Sequence, residues 1–284
     1  MGISLNGVGF TYLPGTPMSK EVLKSIDIEL REGEVLCLVG KTGAGKSTLL
    51  SVMCGMLRPT CGAVALDGEV ISDRAGMSAL RTAAGVVLQY SEKQLFAETV
   101  EKDVAFGPRN RGLHGEELAT AVREALMLVG LDPGGYSPRS PFSLSDGEMR
   151  RCALAGVLSM RPRYLLLDEP SSGLDLPGRE LLYGALAEQR ERGVGVLVVT
   201  HDWEEVELLA DRVAVLSGGE VPLQGEKEEV LTAVEELEAA GLRPPPLVAV
   251  LAELRGHGID IPACLPSPGE AAEIICRALG EAPS

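Results

Sequence analysis

Clustered positive charge is the first thing this sequence lacks. Against 41 Asp and Glu stand only 26 Lys and Arg, a formal net charge of −15 over 284 residues. That balance argues against a broad nucleic-acid surface, which needs grouped basic side chains. It leaves room for a small anion, because backbone amides and one lysine suffice to hold a nucleotide. Long apolar runs are also missing. Stretches such as "YLLL" and "VLVV" fall far short of the roughly 20 residues that span a bilayer. Work at a membrane would therefore require docking to something embedded there. The opening "MGISLNGVGF" has no basic segment before an apolar one, so no signal peptide is expected. Asn6 stands where a myristoylation motif needs Ser or Thr. The six cysteines (Cys37, Cys54, Cys61, Cys152, Cys264, Cys276) form no C-x-x-C pair, a scatter that fits reduced thiols in a cytosolic chain.

What is present is an ordinary globular composition, with 45% hydrophobic and 24% charged residues, enough for one large domain or a domain with an appendage. Short apolar runs alternate with helical patterns, which predicts an α/β sheet that is largely parallel. Four runs end alike. "EVLCLV" runs into Gly40, "GVVL" into Gln89, "YLLL" into Asp168 and Glu169, and "VLVV" into Thr200, His201 and Asp202. Open α/β sheets bind ligands at the carboxyl ends of their strands. Any one such ending is unremarkable; four together predict a site.

The first ending is the most specific. "GKTGAGKST", Gly40 to Thr48, fits G-x-x-x-x-G-K-[ST], the phosphate-binding P-loop. A chance match in a chain of this size is on the order of 1 in 100. Gly40, Lys41, Thr42, Gly43, Ala44 and Gly45 would wrap backbone amides around phosphate oxygens, with Lys46, Ser47 and Thr48 opening the following helix. Lys46 is expected to bridge the β- and γ-phosphates, and Ser47 to complete the shell of a Mg²⁺ ion. "YLLLDEP" adds Asp168, placed to reach Mg²⁺ through water, and Glu169, placed to orient or deprotonate an attacking water.

With these motifs in order, the sequence resembles the ATP-binding cassette (ABC) ATPases over residues 1 to about 225. "LSDGE" (Leu144 to Glu148) is similar to the family's signature, normally L-S-G-G-Q; "SGLD" (Ser172 to Asp175) looks like its D-loop. The resemblance makes His201 the switch histidine, Gln89 the Q-loop glutamine and a Mg²⁺ ligand, and Tyr12 the aromatic stacked on adenine. It implies an α/β nucleotide-binding domain over 1–225: a P-loop core sheet, an antiparallel β subdomain and a helical signature subdomain at about 90–160. A small helical extension over 226–284 is expected to dimerise, with packing back on its own core as the alternative. In this family each ATP is sandwiched between one P-loop and the opposite signature. Ser145, Gly147 and Asp175 would therefore serve the partner's nucleotide.

Asp146 and Glu148 depart from the usual Gly and Gln. Ser145 followed three residues on by Glu148 predicts a capping box, with Asp146 favoured in the first turn by the helix dipole. Two acids near a γ-phosphate would repel it unless they point away.

"LQYSEKQLFAETVEKDVAFGPRNRG" (Leu88 to Gly112), "GEMRRCALAGVLSMRP" and the tail are similar to energy-coupling factor transporter ATPases, especially their second type. That resemblance implies an importer for a vitamin or a transition-metal ion. Its partners would be a second ATPase subunit, the same or related, a membrane coupling subunit and, indirectly, a substrate-binding membrane subunit. The chain would sit peripherally on the cytoplasmic face of the membrane and bind no nucleic acid. Leu95, Phe96 and Val100 are expected docking contacts, with packing of Phe96 inside the helical subdomain as the alternative. In the tail, Val230, Val234 and Leu237 predict one helix, "RPPP" a break, and Ser267 to Glu270 the cap of another. The nearest rival is the ATPase of another ABC importer. Heads of DNA-repair ATPases carry a long coiled coil or insertion before the signature, which 90–142 is too short to hold. Translation factors usually join two cassettes in one chain.

Overall fold

The computed structural model describes residues 1–279 except 263. Among these residues ten strands form: β1 (Gly2–Tyr12), β2 (Lys20–Arg31), β3 (Val35–Val39), β4 (Cys61–Leu66), β5 (Glu69–Val70), β6 (Ala84–Val87), β7 (Tyr164–Asp168), β8 (Gly195–Val199), β9 (Arg212–Ser217) and β10 (Glu220–Glu226). One sheet is antiparallel, in the order β2-β1-β4-β5. The other runs β10-β9-β3-β8-β7-β6 and is parallel from β9 to β6, with β10 antiparallel at its edge.

The four predicted strand endings belong to β3, β8, β7 and β6, which are consecutive neighbours in the parallel part. Their carboxyl ends therefore open on one edge. Every residue of β3, β7 and β8 is buried, as expected of parallel strands covered on both faces. Side chains alternate between two cores. Val35, Cys37, Val39, Leu165, Leu167, Val196 and Val198 face a helical layer. Leu36, Leu38, Tyr164, Leu166, Leu197 and Val199 face the helix α1 (Lys46–Met53) and the antiparallel sheet. Each fully buried Leu or Val contributes about 1.5–3 kcal/mol relative to exposure, so the strand ends stand on a stiff platform.

After α2 (Arg74–Ala83) and β6, the chain leaves the sheet and forms α3 (Val100–Val104), α4 (Phe106–Asn110), α5 (Gly115–Leu128), α6 (Pro133–Tyr136) and α7 (Asp146–Leu158) before returning as β7. Then follow α8 (Leu176–Glu191) and α9 (Trp203–Leu209). The expected capping box opens α7: Ser145 Oγ accepts from Glu148 N, and the Glu148 carboxylate accepts from Ser145 N.

Two docking expectations are corrected here. Leu95 is 5% exposed and Val100 is fully buried, both packed in the helical core. Neither offers surface to a partner. Phe96, in contrast, is 59% exposed and stands edge-on to Phe106, their ring centroids 4.8 Å apart.

The tail forms α10 (Lys227–Thr232), α11 (Val234–Ala239), α12 (Pro246–Gly256) and α13 (Pro268–Leu279). The single helix predicted across Val230, Val234 and Leu237 is broken at Ala233, whose ψ of 68° leaves the helical range. Val230, Leu231 and Leu237 lie inside the main core, so α10 and α11 pack on their own chain. The predicted cap at Ser267 and Glu270 forms.

Candidate functional site

A cleft of about 320 Å³ opens at the carboxyl edge of the parallel strands, lined by Tyr12, Lys20, Val22, Thr42, Gly43, Gly45, Lys46, Ser47, Thr48, Gln89, Asp168 and Glu169. The loop after β3 adopts the conformation its glycines permit. Gly43 and Gly45 have φ of 83° and 110°, in the left-handed region. At Gly40 a Cβ would come within 2.3 Å of the Leu216 carbonyl oxygen. Lys46 curls back, its Nζ donating to the carbonyl oxygens of Gly40 at 2.7 Å and Lys41 at 3.2 Å. Burial pulls the Lys46 ammonium below its usual pKa, while Glu169 and Asp168 pull it up.

Ser47 Oγ donates to Asp168 Oδ2 at 2.7 Å, joining the P-loop to the end of β7. Asp168 is 5% exposed, and burial raises its carboxyl above the ordinary range against the bond from Ser47. Glu169 has φ of 50°, a left-handed conformation that is costly for a residue with a Cβ. Its carboxylate is gripped from two sides. Gln89 Nε2 donates to Oε2 at 3.0 Å, and His201 Nδ1 lies 3.2 Å from Oε1. The ends of β6, β7 and β8 thus meet on one carboxylate.

The donors offered to a metal are a hydroxyl, a carboxylate and the amide oxygen of Gln89, whose nitrogen is the atom turned to Glu169. These are hard oxygen ligands of the kind Mg²⁺ takes, and phosphate oxygens and water can complete its octahedron. Ser47, Gln89 and Asp168 therefore fit Mg²⁺.

Tyr12 stands at the mouth, its hydroxyl 3.2 Å from Thr48 Oγ1 and its ring edge-on to Phe10. Phe10 is buried and Tyr12 is 41% exposed, so Tyr12 is the aromatic surface on offer. Lys20 and Val22 were missed by sequence reasoning. Lys20 pairs across the strands with Tyr12, and that register is the signal that would have found it.

Ser145, Gly147 and Asp175 stand outside the cleft lining. Ser145 and Asp175 are helix N-caps of α7 and α8, Asp175 accepting from Gly178 N at 3.0 Å. The Glu148 carboxylate folds back on the start of its own helix. Its Oε2 accepts from Ser145 N and Oγ, and its Oε1 accepts from Tyr136 at 2.6 Å. Asp146 is exposed in the first turn.

The tail reaches this edge too. Trp203 Nε1 donates to the Arg243 carbonyl oxygen at 2.8 Å, and Ser217 Oγ to that of Ala240 at 3.1 Å. Between them Gly241, with φ of 75°, lies so close to Lys41 that a Cβ would meet its Nζ at 2.2 Å.

A parallel sheet whose first ligand loop is a P-loop, facing a strand-end Asp-Glu pair, a glutamine and a histidine, defines a P-loop nucleotide-binding protein. The family model described as ABC transporter matches residues 23–172. The energy-coupling factor transporter ATP-binding protein EcfA2 of Clostridium perfringens is 43% identical over 263 residues, 92% of each chain. The structure of cbiO1 from Clostridium perfringens, part of the ABC transporter complex cbiONQ, superposes with a TM-score of 0.73 at 35% identity, over 88% of this chain and 98% of that one. A dimeric ATP-binding cassette in a post-hydrolysis state, bound to ADP and phosphate, gives a TM-score of 0.71 at 27% identity, over 79% of this chain and 98% of that one. The chain belongs to the ABC transporter family of ATPases, in its energy-coupling factor branch.

Proposed function

We propose that this chain is one of the two ATPase subunits of an energy-coupling factor importer, hydrolysing ATP to drive uptake of a vitamin or a transition-metal ion. The observation that carries the mechanism is the convergence of Gln89 and His201 on Glu169, beside the Ser47–Asp168 bond. Tyr12 stacks on the base, and the amides of Gly40 to Thr48 hold the phosphates, with Lys46 on the β- and γ-phosphates. Lys46 must leave its two carbonyl partners to do so, which the incoming phosphate charge favours. Mg²⁺, held by Ser47, Gln89 and, through water, Asp168, would neutralise charge on the phosphates.

Glu169 takes a proton from the attacking water as its oxygen bonds the γ-phosphorus. The bond to the bridging oxygen breaks, and ADP leaves with the electron pair. Gln89 and His201 orient the Glu169 carboxylate and report the γ-phosphate to the strands behind them. Ser145 and Gly147 at the start of α7, with Asp175, complete the site on a second ATPase subunit. That dimer closes on two ATP and reopens when the bridging phosphate is lost.

The Gln89 segment carries this motion outward. Phe96 and Phe106, 59% and 49% exposed, form the contact offered to a membrane coupling subunit. The chain works as a peripheral protein on the cytoplasmic face; among the described residues no helix is long and apolar enough to cross a membrane. Within the tail, α12 and α13 are the part available for dimer contacts.

Purification from membranes through a tag on this chain tests the proposal. Recovery of a second ATPase, a coupling subunit and a vitamin- or metal-specific membrane protein is expected. A conventional permease pair would overturn it in favour of another importer class.

A further inference from the structure

Arg150 lies on α7, just beyond the signature, and its side chain leaves that helix to meet two other loops. On one side its guanidinium covers Gly173 of the D-loop. A Cβ built at Gly173 would sit 3.3–3.5 Å from Nη1, Cζ and Nη2, and Gly173 has φ of 74°. On the other side its Nε lies 3.7 Å from Glu92 Oε2, in the turn Ser91–Gln94 that follows Gln89. Both side chains are largely withdrawn from solvent, at 21% and 24% exposure.

The Glu92 oxygen is the telling atom. It is buried and has no hydrogen-bond partner, and Arg150 stands within ion-pair range but too far to donate. An unmet buried carboxylate oxygen is costly, and a guanidinium that closes a short gap removes the cost. The pair is therefore incomplete in the single chain and has something to gain from a small movement of α7 toward the turn. Arg150, Pro170 and Leu174 also line a small void of about 20 Å³ between α7 and the D-loop, so the Arg150 side chain is not locked by close packing on that side.

We propose that Arg150 is a positioning residue for ATP hydrolysis, which closes onto Glu92 when two cassettes engage and so ties the signature helix, the Gln89 turn and the D-loop into one unit. Arg150 stands outside the lining of the nucleotide cleft. It acts through Gly173, which precedes Asp175 in the D-loop, and through the turn that carries Gln89 toward Glu169. Arginine suits this post because its planar fork can cover a bare glycine backbone and still donate sideways to a carboxylate; lysine has only a point charge.

The inference rests on the assignment of the chain as a cassette ATPase, and a Glu169→Gln control in the same tagged complex separates the two. Hydrolysis undiminished by Glu169→Gln would remove the assignment; the Arg150 result stands apart from it. Arg150→Glu and Glu92→Arg are each expected to lower kcat about tenfold or more, with the KM for ATP within about twofold of the parent. The double reversal Glu92→Arg/Arg150→Glu is expected to regain most of the loss. A double reversal as slow as the slower single variant, or Arg150→Glu with parental kcat, would overturn the proposal. Should either reversal fail to fold, Arg150→Lys decides. Reduced kcat at unchanged KM supports the role, and parental kcat overturns it.

Discussion

Glu148 holds Ser145 by both of its donors, the backbone amide at 2.8 Å and the hydroxyl at 2.9 Å. The hydroxyl proposed to reach a partner's γ-phosphate is thus already committed to a carboxylate on its own helix. Glutamine at this position keeps the capping box but draws that hydroxyl less strongly, since hydrogen bonds to ionised acceptors are roughly twice as strong. Glu148→Gln is expected to raise steady-state ATPase of the assembled complex severalfold. A rate equal to or below the parent's, measured at saturating Mg-ATP, contradicts this.

Asp146 exerts its effect through charge alone. At the first position of α7 it is favoured by the helix dipole by about 0.3–1 kcal/mol, and in the proposed dimer its carboxylate would repel the partner's γ-phosphate. Asp146→Gly should therefore lower the thermal midpoint slightly while raising ATPase in the complex. An unchanged or lower rate would show that its charge does not reach the ligand.

The same cap gives a pH signature. The Tyr136 hydroxyl, followed by the backbone amide of Ser145, holds the Glu148 carboxyl down at about 2, against an ordinary 4.5. A depressed carboxylate stabilises the fold above the unfolded value, and that contribution is lost as pH falls toward the folded value. The midpoint difference between the parent and Glu148→Gln should be steady above pH 4.5 and shrink below it. A difference that does not change with pH would exclude the ionised cap as its source.

Glu205 has the opposite sign. Its carboxyl is 1% exposed, and burial raises its pKa against the hydroxyls of Thr200 and Ser171, which favour the charged form. A raised carboxyl supports stability at low pH and withdraws it as pH rises through the folded value. Glu205→Gln should be nearly neutral at pH 5 and stabilising at pH 8, read as the midpoint difference at each pH. A destabilised variant at pH 8 would mean that the charge is used.

Glu169 is the residue whose loss should abolish turnover. Glu169→Gln is expected to cut hydrolysis by about 10²–10⁴, the range for removing a general base, while ATP binding persists and the dimer accumulates on a sizing column with Mg-ATP. Hydrolysis near the parental rate would remove Glu169 from the proposed role.

The sequence made the strand ends readable because parallel strands are buried on both faces. "YLLL" and "VLVV" advertise themselves as apolar runs, and the polar residue that ends each run is then at the open edge. The capping box was readable for a similar reason, being local. Leu95 and Val100 differ from the docking expectation because an apolar residue in a coupling segment does not say whether core or partner covers it. The partners of Glu148, Glu169 and Arg150 are tertiary. Tyr136, His201 and Glu92 come to them from separate elements, and no periodicity relates such positions. Lys20 needed the strand register, which the turn between β1 and β2 sets and the alternation alone does not.

Val230, Leu231 and Leu237 have no exposed surface at all. A minimal cassette cut after β10 would be a wounded protein, with a greasy trench open along the helical layer and the backbone around Gly241 gone from beside Lys41. Shortened versions meant for crystallisation or fusion should keep both tail helices α10 and α11 and end beyond Arg243, where the clasp to Trp203 is complete.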